Sequence, residues 1–455
     1  MTPIQSETFN LCLTEKDILA QAKTGTGKTL AFLLPTIQKI LNNRRLKNEN
    51  VSALIIAPTR DLAQQIHIEV QKILQSIPEI RAQIVFGGTA KKVYNDVKEL
   101  KKTKPDIVIA TPGRILDILE NYSDVKSNQF KYVSTLVFDE ADRLLDEGFL
   151  PACQKILTHL SNVKQKGQIL MYSATISKDV KIIARNLLKP DFKFISTIDN
   201  SDTPTHLSIT QTSLLVPDED IYYAAYSLLK NYMEANKNHK IICFLPTARA
   251  AQVSALLFSN LFKNISVLEV HSRMVSSKRE NSVQKFRNAN EAIIFSSDVI
   301  ARGLDFPNVG LVLQIGIPQN LDQYLHRIGR TGRAEAKGSA AIIVTDLEQN
   351  FLKKLHLSNL KIVEESVSFS PRDVALVKTA LENVPLERKE QAYRAWLGFY
   401  KGFLKEFGVD LDTLVSRANN YALNVLGCVE VPKINWKLES KMGLKNVKEL
   451  NRGEH

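Results

Sequence analysis

Short apolar runs recur along the chain, each followed by polar turn residues and then a longer stretch whose apolar positions fall three and four apart. In the first half these runs are residues 17–20, 53–57, 107–110, 135–138, 169–172 and 194–198. After the polar stretch Asp-Asn-Ser-Asp-Thr-Pro, which begins at Asp199, the pattern restarts with runs at 241–245, 267–270, 292–296, 311–315 and 340–344. Unbroken apolar runs, rather than alternating ones, mark strands covered on both faces. Strands alternating with helices predict a mostly parallel sheet flanked by helices. Two such sets predict two tandem α/β domains, residues 1–199 and 206–364, joined by a linker at 200–205, with a ligand cleft between them. From about Ser366 the pattern becomes amphipathic and helical, with Pro371 and Pro385 at helix starts, so residues 365–455 read as a helical, basic C-terminal extension.

Composition narrows the class. With 455 residues, 44% hydrophobic and 24% charged, the chain has the make-up of a multidomain globular protein. No apolar run reaches the roughly 18 residues that a membrane span requires. The net charge of +12 points to a polyanionic partner, nucleic acid first. Cys12, Cys153, Cys243 and Cys428 are far apart and lack metal-site spacing, so they read as reduced thiols. No signal peptide or Arg-rich presequence is visible in the opening residues.

Two stretches carry candidate chemistry. In TLVFDEAD, Thr135 to Phe138 run as a buried strand into Asp139, Glu140 and Asp142. An acidic cluster is ordinarily a solvated loop or helix start, but ligands of open α/β sheets bind just past the carboxyl ends of strands. The second stretch supplies a phosphate cradle. Ala22, Lys23, Thr24, Gly25, Thr26, Gly27, Lys28 and Thr29 lie between the strand at 17–20 and a helical pattern. Gly25 and Gly27 allow backbone N–H groups to curl around an anion, and the following helix adds its dipole. Lys28 can reach the outer phosphates and Thr29 offers a hydroxyl to Mg²⁺. Asp139 is placed to hold the ion through water, and Glu140 to orient an attacking water. Ala22 stands where this loop usually begins with Gly.

The remaining motifs identify the family. QAKTGTGKT, APTRDLAQQI, FGG, ATPGR, DEAD, SAT, SSDVIARGLDFP and HRIGRTGR occur in that order. Over roughly residues 2 to 350 the chain resembles a DEAD-box RNA helicase of superfamily 2, which implies two RecA-like domains using ATP and Mg²⁺. The tail and the stretch from Leu311 to Gly338 are similar to the fungal mitochondrial DEAD-box RNA chaperones of intron splicing.

The resemblance assigns roles. Gln5 reads the adenine edge, and the aromatic residue that the family places upstream of it lies outside the chain, so a further N-terminal segment is expected. Ser173 and Thr175 bond to the acidic tetrad through Asp142 and couple ATP state to strand separation. Arg330 and Arg333 act as arginine fingers, His326 contacts the first domain's motifs, and Gly303 and Asp305 hold the ribose. RNA contacts fall on Arg60, Gly88, Thr111, Gly113, Arg114, Ser297 and Asp298; backbone contacts of this kind do not read bases. Three positions depart from the family pattern: Ser297 where Thr is more frequent, Gly316 where Asp is usual and Ser276 where Gln is common.

The tail carries two expectations. Arg394, Lys401 and Lys405 with Trp396, Tyr400 and Phe403 would extend the RNA track, or the tail helices would pack on the second domain. The expected protein is a monomeric, RNA-stimulated ATPase that binds single-stranded RNA and locally unwinds short duplexes, with an ATP-gated RNA clamp or a ribosome-assembly factor as alternatives. The resemblance points to the mitochondrial matrix, with nucleus or cytoplasm as the other compartments.

Overall fold

The structure is a computed structural model. It describes the chain except for residues 24, 44–49, 88–92, 146–147, 177, 199–208, 238, 301–305, 333–337, 359 and 454–455, and the side chains of 178, 179 and 276. The chain divides into two compact units, Met1–Asp202 and Thr203–His455. The expected linker at 200–205 lies outside the described residues.

The first unit is a seven-stranded sheet. Its strands are β1 (Ile18–Gln21), β2 (Ala53–Ile56), β3 (Ala82–Val85), β4 (Ile107–Ala110), β5 (Thr135–Asp139), β6 (Gln168–Ser173) and β7 (Lys193–Ser196). They pair in parallel in the order β3-β4-β2-β5-β6-β1-β7. Side chains alternate between two cores, as the strand period requires. Leu54 and Ile56 of β2 with Leu136 and Phe138 of β5 enter one, while Ala53, Ile55 and Val137 enter the other. Asp17, fully buried at the start of β1, accepts the N–H groups of Ile169 and Lys189, each at 2.8 Å, and so registers β1 against β6 and β7.

The second unit repeats the design with β8 (Thr210–Val216), β9 (Lys240–Phe244), β10 (Ser266–Val270), β11 (Ala292–Ser296), β12 (Val309–Ile315), β13 (Ser339–Thr345) and β14 (Ile362–Glu364). The order is β10-β11-β9-β12-β13-β8-β14. The expected runs all fall on strands, but β3, β8 and β14 carry no apolar run. β8 buries Gln211 and Ser213, and Gln211 Oε1 accepts the Tyr324 hydroxyl at 3.0 Å. β3 alternates buried with half-buried positions, and β14 has three residues at the sheet edge.

The tail forms helices Pro371–Glu382, Leu386–Tyr400, Leu411–Asn420 and Trp436–Met442 within the second unit. Ser370 caps the first, accepting the Asp373 N–H at 3.1 Å. Leu381, Leu397, Leu414 and Leu426 belong to the same apolar core as Ile242 of β9 and Leu313 of β12. The packing expectation for the tail therefore holds.

Candidate nucleotide and RNA sites

β1 delivers the chain into the phosphate loop, and the helix Lys28–Asn43 leaves it. Gly25 and Gly27 have φ of 81° and 85°, in the left-handed region that glycine reaches without penalty. At Gly27 a side chain would also displace the Gln5 amide, because a Cβ would lie 2.5 Å from Gln5 Nε2. Gln5 Nε2 donates to the Gly27 carbonyl at 3.3 Å, and Gln5 Oε1 accepts the Thr2 N–H at 2.9 Å. The adenine-reading candidate is thus tied to the loop through its own side chain. Lys28 Nζ donates to the carbonyls of Ala22 at 2.7 Å and Lys23 at 2.9 Å, and Thr26 Oγ1 donates to Lys23 O at 2.8 Å. Thr24 lies outside the described residues.

β5 ends on Asp139, which is 4% exposed. The chain then turns through Glu140 at φ 51°, strained for a residue with a side chain. The Glu140 N–H donates to Asp139 Oδ1 at 3.0 Å. Burial, with the neighbouring Glu140 charge, pushes Asp139 up to about 7, against the pull of Lys28. A buried carboxylate that lacks sufficient positive charge suits a divalent cation. The described residues contain no cluster of three or more His, Cys, Asp or Glu around a common point. Mg²⁺ keeps water and substrate oxygens in most of its positions and so needs few protein ligands. Thr29 and Asp139 are the residues available to hold it.

Asp142, on the short helix after Glu140, meets the end of β6. Ser173 Oγ lies 2.7 Å from Asp142 Oδ1, and Thr175 Oγ1 donates to Asp142 Oδ2 at 2.9 Å. The three residues expected to couple nucleotide to RNA are therefore in contact.

The RNA candidates of the first unit sit at helix starts past β2 and β4. Arg60 opens the helix Arg60–Leu74 behind the cap Thr59, whose Oγ1 accepts the Leu62 N–H at 3.3 Å. Thr111 precedes the helix Pro112–Asn121, and the space beside Gly113 is open. Arg114 departs from expectation. Its guanidinium is buried and ion-paired with the buried Asp96, so it faces the protein rather than a phosphate. Gly88 lies outside the described residues.

In the second unit Ser297 and Asp298 follow β11. Asp298 Oδ1 accepts Arg327 Nε at 2.7 Å. Arg327, fully buried, also donates to Gln314 Oε1 of β12 at 3.2 Å and stacks over the Phe244 ring at 5.3 Å. This guanidinium joins the Asp298 loop to the helix Leu321–Ile328. The sequence places Arg327 three residues before Arg330, but only the fold shows which way each points. His326 and Arg330 are both buried. Gly303, Asp305 and Arg333 lie outside the described residues.

The tail rings pack against one another. Trp396 stacks on Tyr421 with centroids 5.5 Å apart and lies 4.4 Å from Tyr400, which is 4% exposed. The cations behave differently. Arg394, Lys401 and Lys441 of the tail line a cavity of about 530 Å³ with Arg249 and Arg273; none of the described lining residues is a carboxylate, although Arg394 also pairs with Glu390 at 3.1 Å. Burial and the neighbouring Arg273 charge lower the pKa of Arg249, which marks a place where positive charge is in excess.

Comparison with known proteins gives a consistent result. A family model described as DEAD/DEAH box helicase matches residues 2–183, and one described as helicase conserved C-terminal domain matches residues 224–335. The mitochondrial ATP-dependent RNA helicase MSS116 of Phaeosphaeria nodorum is 37% identical over 458 residues, covering 100% of this chain and 82% of its own. The DEAD-box ATP-dependent RNA helicase 31 of Arabidopsis thaliana is 37% identical, covering 98% of this chain and 62% of its own. Mss116p bound to ssRNA and AMP-PNP superposes with a TM-score of 0.85 at 32% identity, over 97% of this chain and 89% of that one.

Proposed function

The chain belongs to the DEAD/DEAH box helicase family and is an ATP-dependent RNA helicase, and from that premise we propose how its residues share the work and which RNA process it serves. The phosphate loop N–H groups and Lys28 bind the phosphates of ATP, and Gln5 orients adenine at the loop's edge. Thr29 and Asp139 hold Mg²⁺, which neutralises charge on the phosphate oxygens when bound. Glu140 accepts a proton from the attacking water and aims it. Arg330 and Arg333 supply positive charge to the transferred phosphoryl group; a finger of this kind contributes roughly 10³–10⁵ in rate. Cradle and fingers belong to different units, so hydrolysis draws on residues of both. RNA that favours the same state of the chain as ATP tightens ATP binding, and ATP tightens RNA binding by the same factor.

RNA engages Arg60, Thr111, Gly113, Ser297 and Asp298 through its backbone and 2′-hydroxyls, without reading bases. A strand held in this way is bent, which opens a short duplex locally. The excess of cations around Arg249, Arg273, Arg394, Lys401 and Lys441 supports an extension of the RNA surface onto the tail. The names of two relatives support a mitochondrial setting, and the resemblance of the tail to the fungal mitochondrial RNA chaperones supports a role in RNA splicing or a related remodelling step there.

The observation that carries this reading is the meeting of Asp142 with Ser173 and Thr175 beside Lys28, Asp139 and Glu140 at the carboxyl ends of the interior strands β1, β5 and β6. Steady-state ATPase activity with single-stranded RNA, with matched single-stranded DNA and with Glu140→Gln as blank tests it. Stimulation by RNA alone, abolished in Glu140→Gln while ATP still binds, is the expected result. ATP binding with no RNA-stimulated turnover would replace the motor with a clamp.

A further inference from the structure

The two sheets correspond strand for strand: β3-β4-β2-β5-β6-β1-β7 in the first unit, β10-β11-β9-β12-β13-β8-β14 in the second. The pairing registers extend the match to residues. Phe138 of β5 stands opposite Ile56 of β2, and Gln314 of β12 stands opposite Phe244 of β9. Ile56 and Phe244 each run through one residue into Pro-Thr, Pro58-Thr59 and Pro246-Thr247, and each Thr caps the next helix. Counted on from Phe138 and Gln314, Glu140 corresponds to Gly316. Both have positive φ, 51° and 83°. The backbone turn that presents Glu140 in the first unit therefore recurs in the second with glycine in its place. The crevice proposed above to serve ATP has a counterpart in the second unit, at the ends of β9 and β12 and the start of the helix Ile221–Ala235.

The tail fills that counterpart. Tyr222, Pro246 and Gly316 face Trp396, Tyr400 and Tyr421 across a residual cavity of about 40 Å³. A Cβ on Gly316 would lie 2.8 Å from Pro246 Cγ, 3.1 Å from the Tyr400 hydroxyl and 3.3 Å from Glu348 Oε1. The family's usual Asp at this position would meet a left-handed backbone, Pro246 and, from the tail, the Tyr400 hydroxyl. The Tyr400 hydroxyl donates to Glu348, a carboxylate that is 1% exposed. Glu348 Oε1 also accepts the Ile317 N–H at 3.0 Å, and Oε2 the Thr345 N–H at 3.1 Å. Ile317 is the first residue past Gly316, on the way to the helix Leu321–Ile328 that carries His326 and Arg327 and leads into Arg330.

We propose that the tail's rings occupy in the second unit the place a nucleotide takes in the first, and that Tyr400, acting through Glu348, is a positioning residue for the turn into the arginine-bearing helix and so for RNA-stimulated hydrolysis. This rests on the roles given to Arg330 and to RNA above. The physical lever is the hydrogen bond to a buried carboxylate, which is strongest when that carboxylate is charged. Burial pushes Glu348 up to about 7, opposed first by the Tyr400 hydroxyl and then by the Ile317 and Thr345 N–H groups. Asp218 adds to the upward push, and Arg417 pairs with both Asp218, at 2.9 Å, and Asp346. Without the hydroxyl Glu348 protonates at higher pH, and a neutral carboxyl holds the Ile317 N–H less firmly.

The test uses the full chain, ATP, an unstructured single-stranded RNA, and the variants Tyr400→Phe, which keeps the ring, and Glu348→Gln, which removes the charge. RNA-stimulated kcat, half-saturating RNA and melting temperature are followed from about pH 6 to about pH 8.5. Tyr400→Phe is expected to lower stimulated kcat by about fivefold or more just above pH 7, where wild-type Glu348 is charged and the variant's is not, and by less at about pH 6 and about pH 8.5, with half-saturating RNA within about twofold of wild type. Glu348→Gln is expected to remove the change in kcat as pH passes through about 7, so that its deficit against wild type grows as pH rises. A Tyr400→Phe to wild-type ratio of one at every pH overturns the proposal. So does a loss in kcat that follows the melting temperature and is matched by weaker RNA binding. A wild-type chain that RNA fails to stimulate overturns the functional reading itself, and the proposal with it.

Discussion

Leu397 of the tail and Leu313 of β12 are both fully buried in one apolar core, so each is expected to destabilise the same folded unit when cut back to alanine. Removing such a side chain loses its transfer free energy and leaves a cavity, a cost of about 3–5 kcal/mol in well-packed sites. With a urea slope near 3 kcal/mol/M for a unit of this size, each variant should unfold about 1–1.7 M earlier. The chain provides its own reporter, because its only two tryptophans, Trp396 and Trp436, both lie in the tail. Trp396 stacks among Tyr400 and Tyr421, so its emission changes when that packing is lost. Urea titrations of the full chain followed by tryptophan fluorescence should show Leu313→Ala and Leu397→Ala moving one transition by similar amounts. Leu136→Ala, equally buried but in the first unit's core, should leave it in place. The reasoning fails if Leu313→Ala leaves the tryptophan transition where it was, because the tail would then be a separately folding module resting on the sheet.

Other consequences can be measured alongside it. Gly27→Ala meets both a left-handed backbone, worth about 1–2 kcal/mol, and the Gln5 amide at 2.5 Å, whereas Gly25→Ala meets the backbone penalty alone. Titration with a fluorescent ATP analogue should therefore show the larger affinity loss at Gly27, about tenfold or more. Arg114→Ala leaves the buried Asp96 without its guanidinium and should cost the first unit about 3–5 kcal/mol by calorimetry, partly recovered by Asp96→Ala in the same chain. The second unit should also lose stability with rising pH. Glu348 has a folded-state pKa of about 7 against the usual 4.5, so the folded state holds its proton where the unfolded state does not. Its contribution is full below pH 4.5 and is lost as pH rises through 7, a swing of about 3 kcal/mol. Tryptophan-detected urea midpoints across this window should flatten in Glu348→Gln.

What the sequence disclosed follows from how local each feature is. The phosphate loop and the Asp139–Glu140 turn were legible because cradle, strand and helix must be contiguous in the chain for that chemistry to assemble at all. The strands over 53–56, 107–110 and 292–296 were legible because burial on both faces demands unbroken apolar runs. β8 was not, since its inward Gln211 is satisfied by Tyr324, a residue far away in sequence. Arg114 was misread for the same reason: its neighbours in TPGR suggest a phosphate, but its charge is answered by Asp96 on another helix. The tail shows the limit most clearly. Trp396, Tyr400 and Phe403 interleaved with cations look like a base-stacking surface, and nothing local distinguishes a ring that meets RNA from a ring that fills a crevice. The distinguishing clue was present, but elsewhere. Gly316 breaks the family pattern at the end of β12, and a strand end that gives up its side chain implies that something else occupies the space. The tail's rings are that occupant, and Tyr400 reaches Glu348 there. A departure from a family motif is therefore most informative when read as a vacancy to be matched against apolar residues the rest of the chain leaves unexplained.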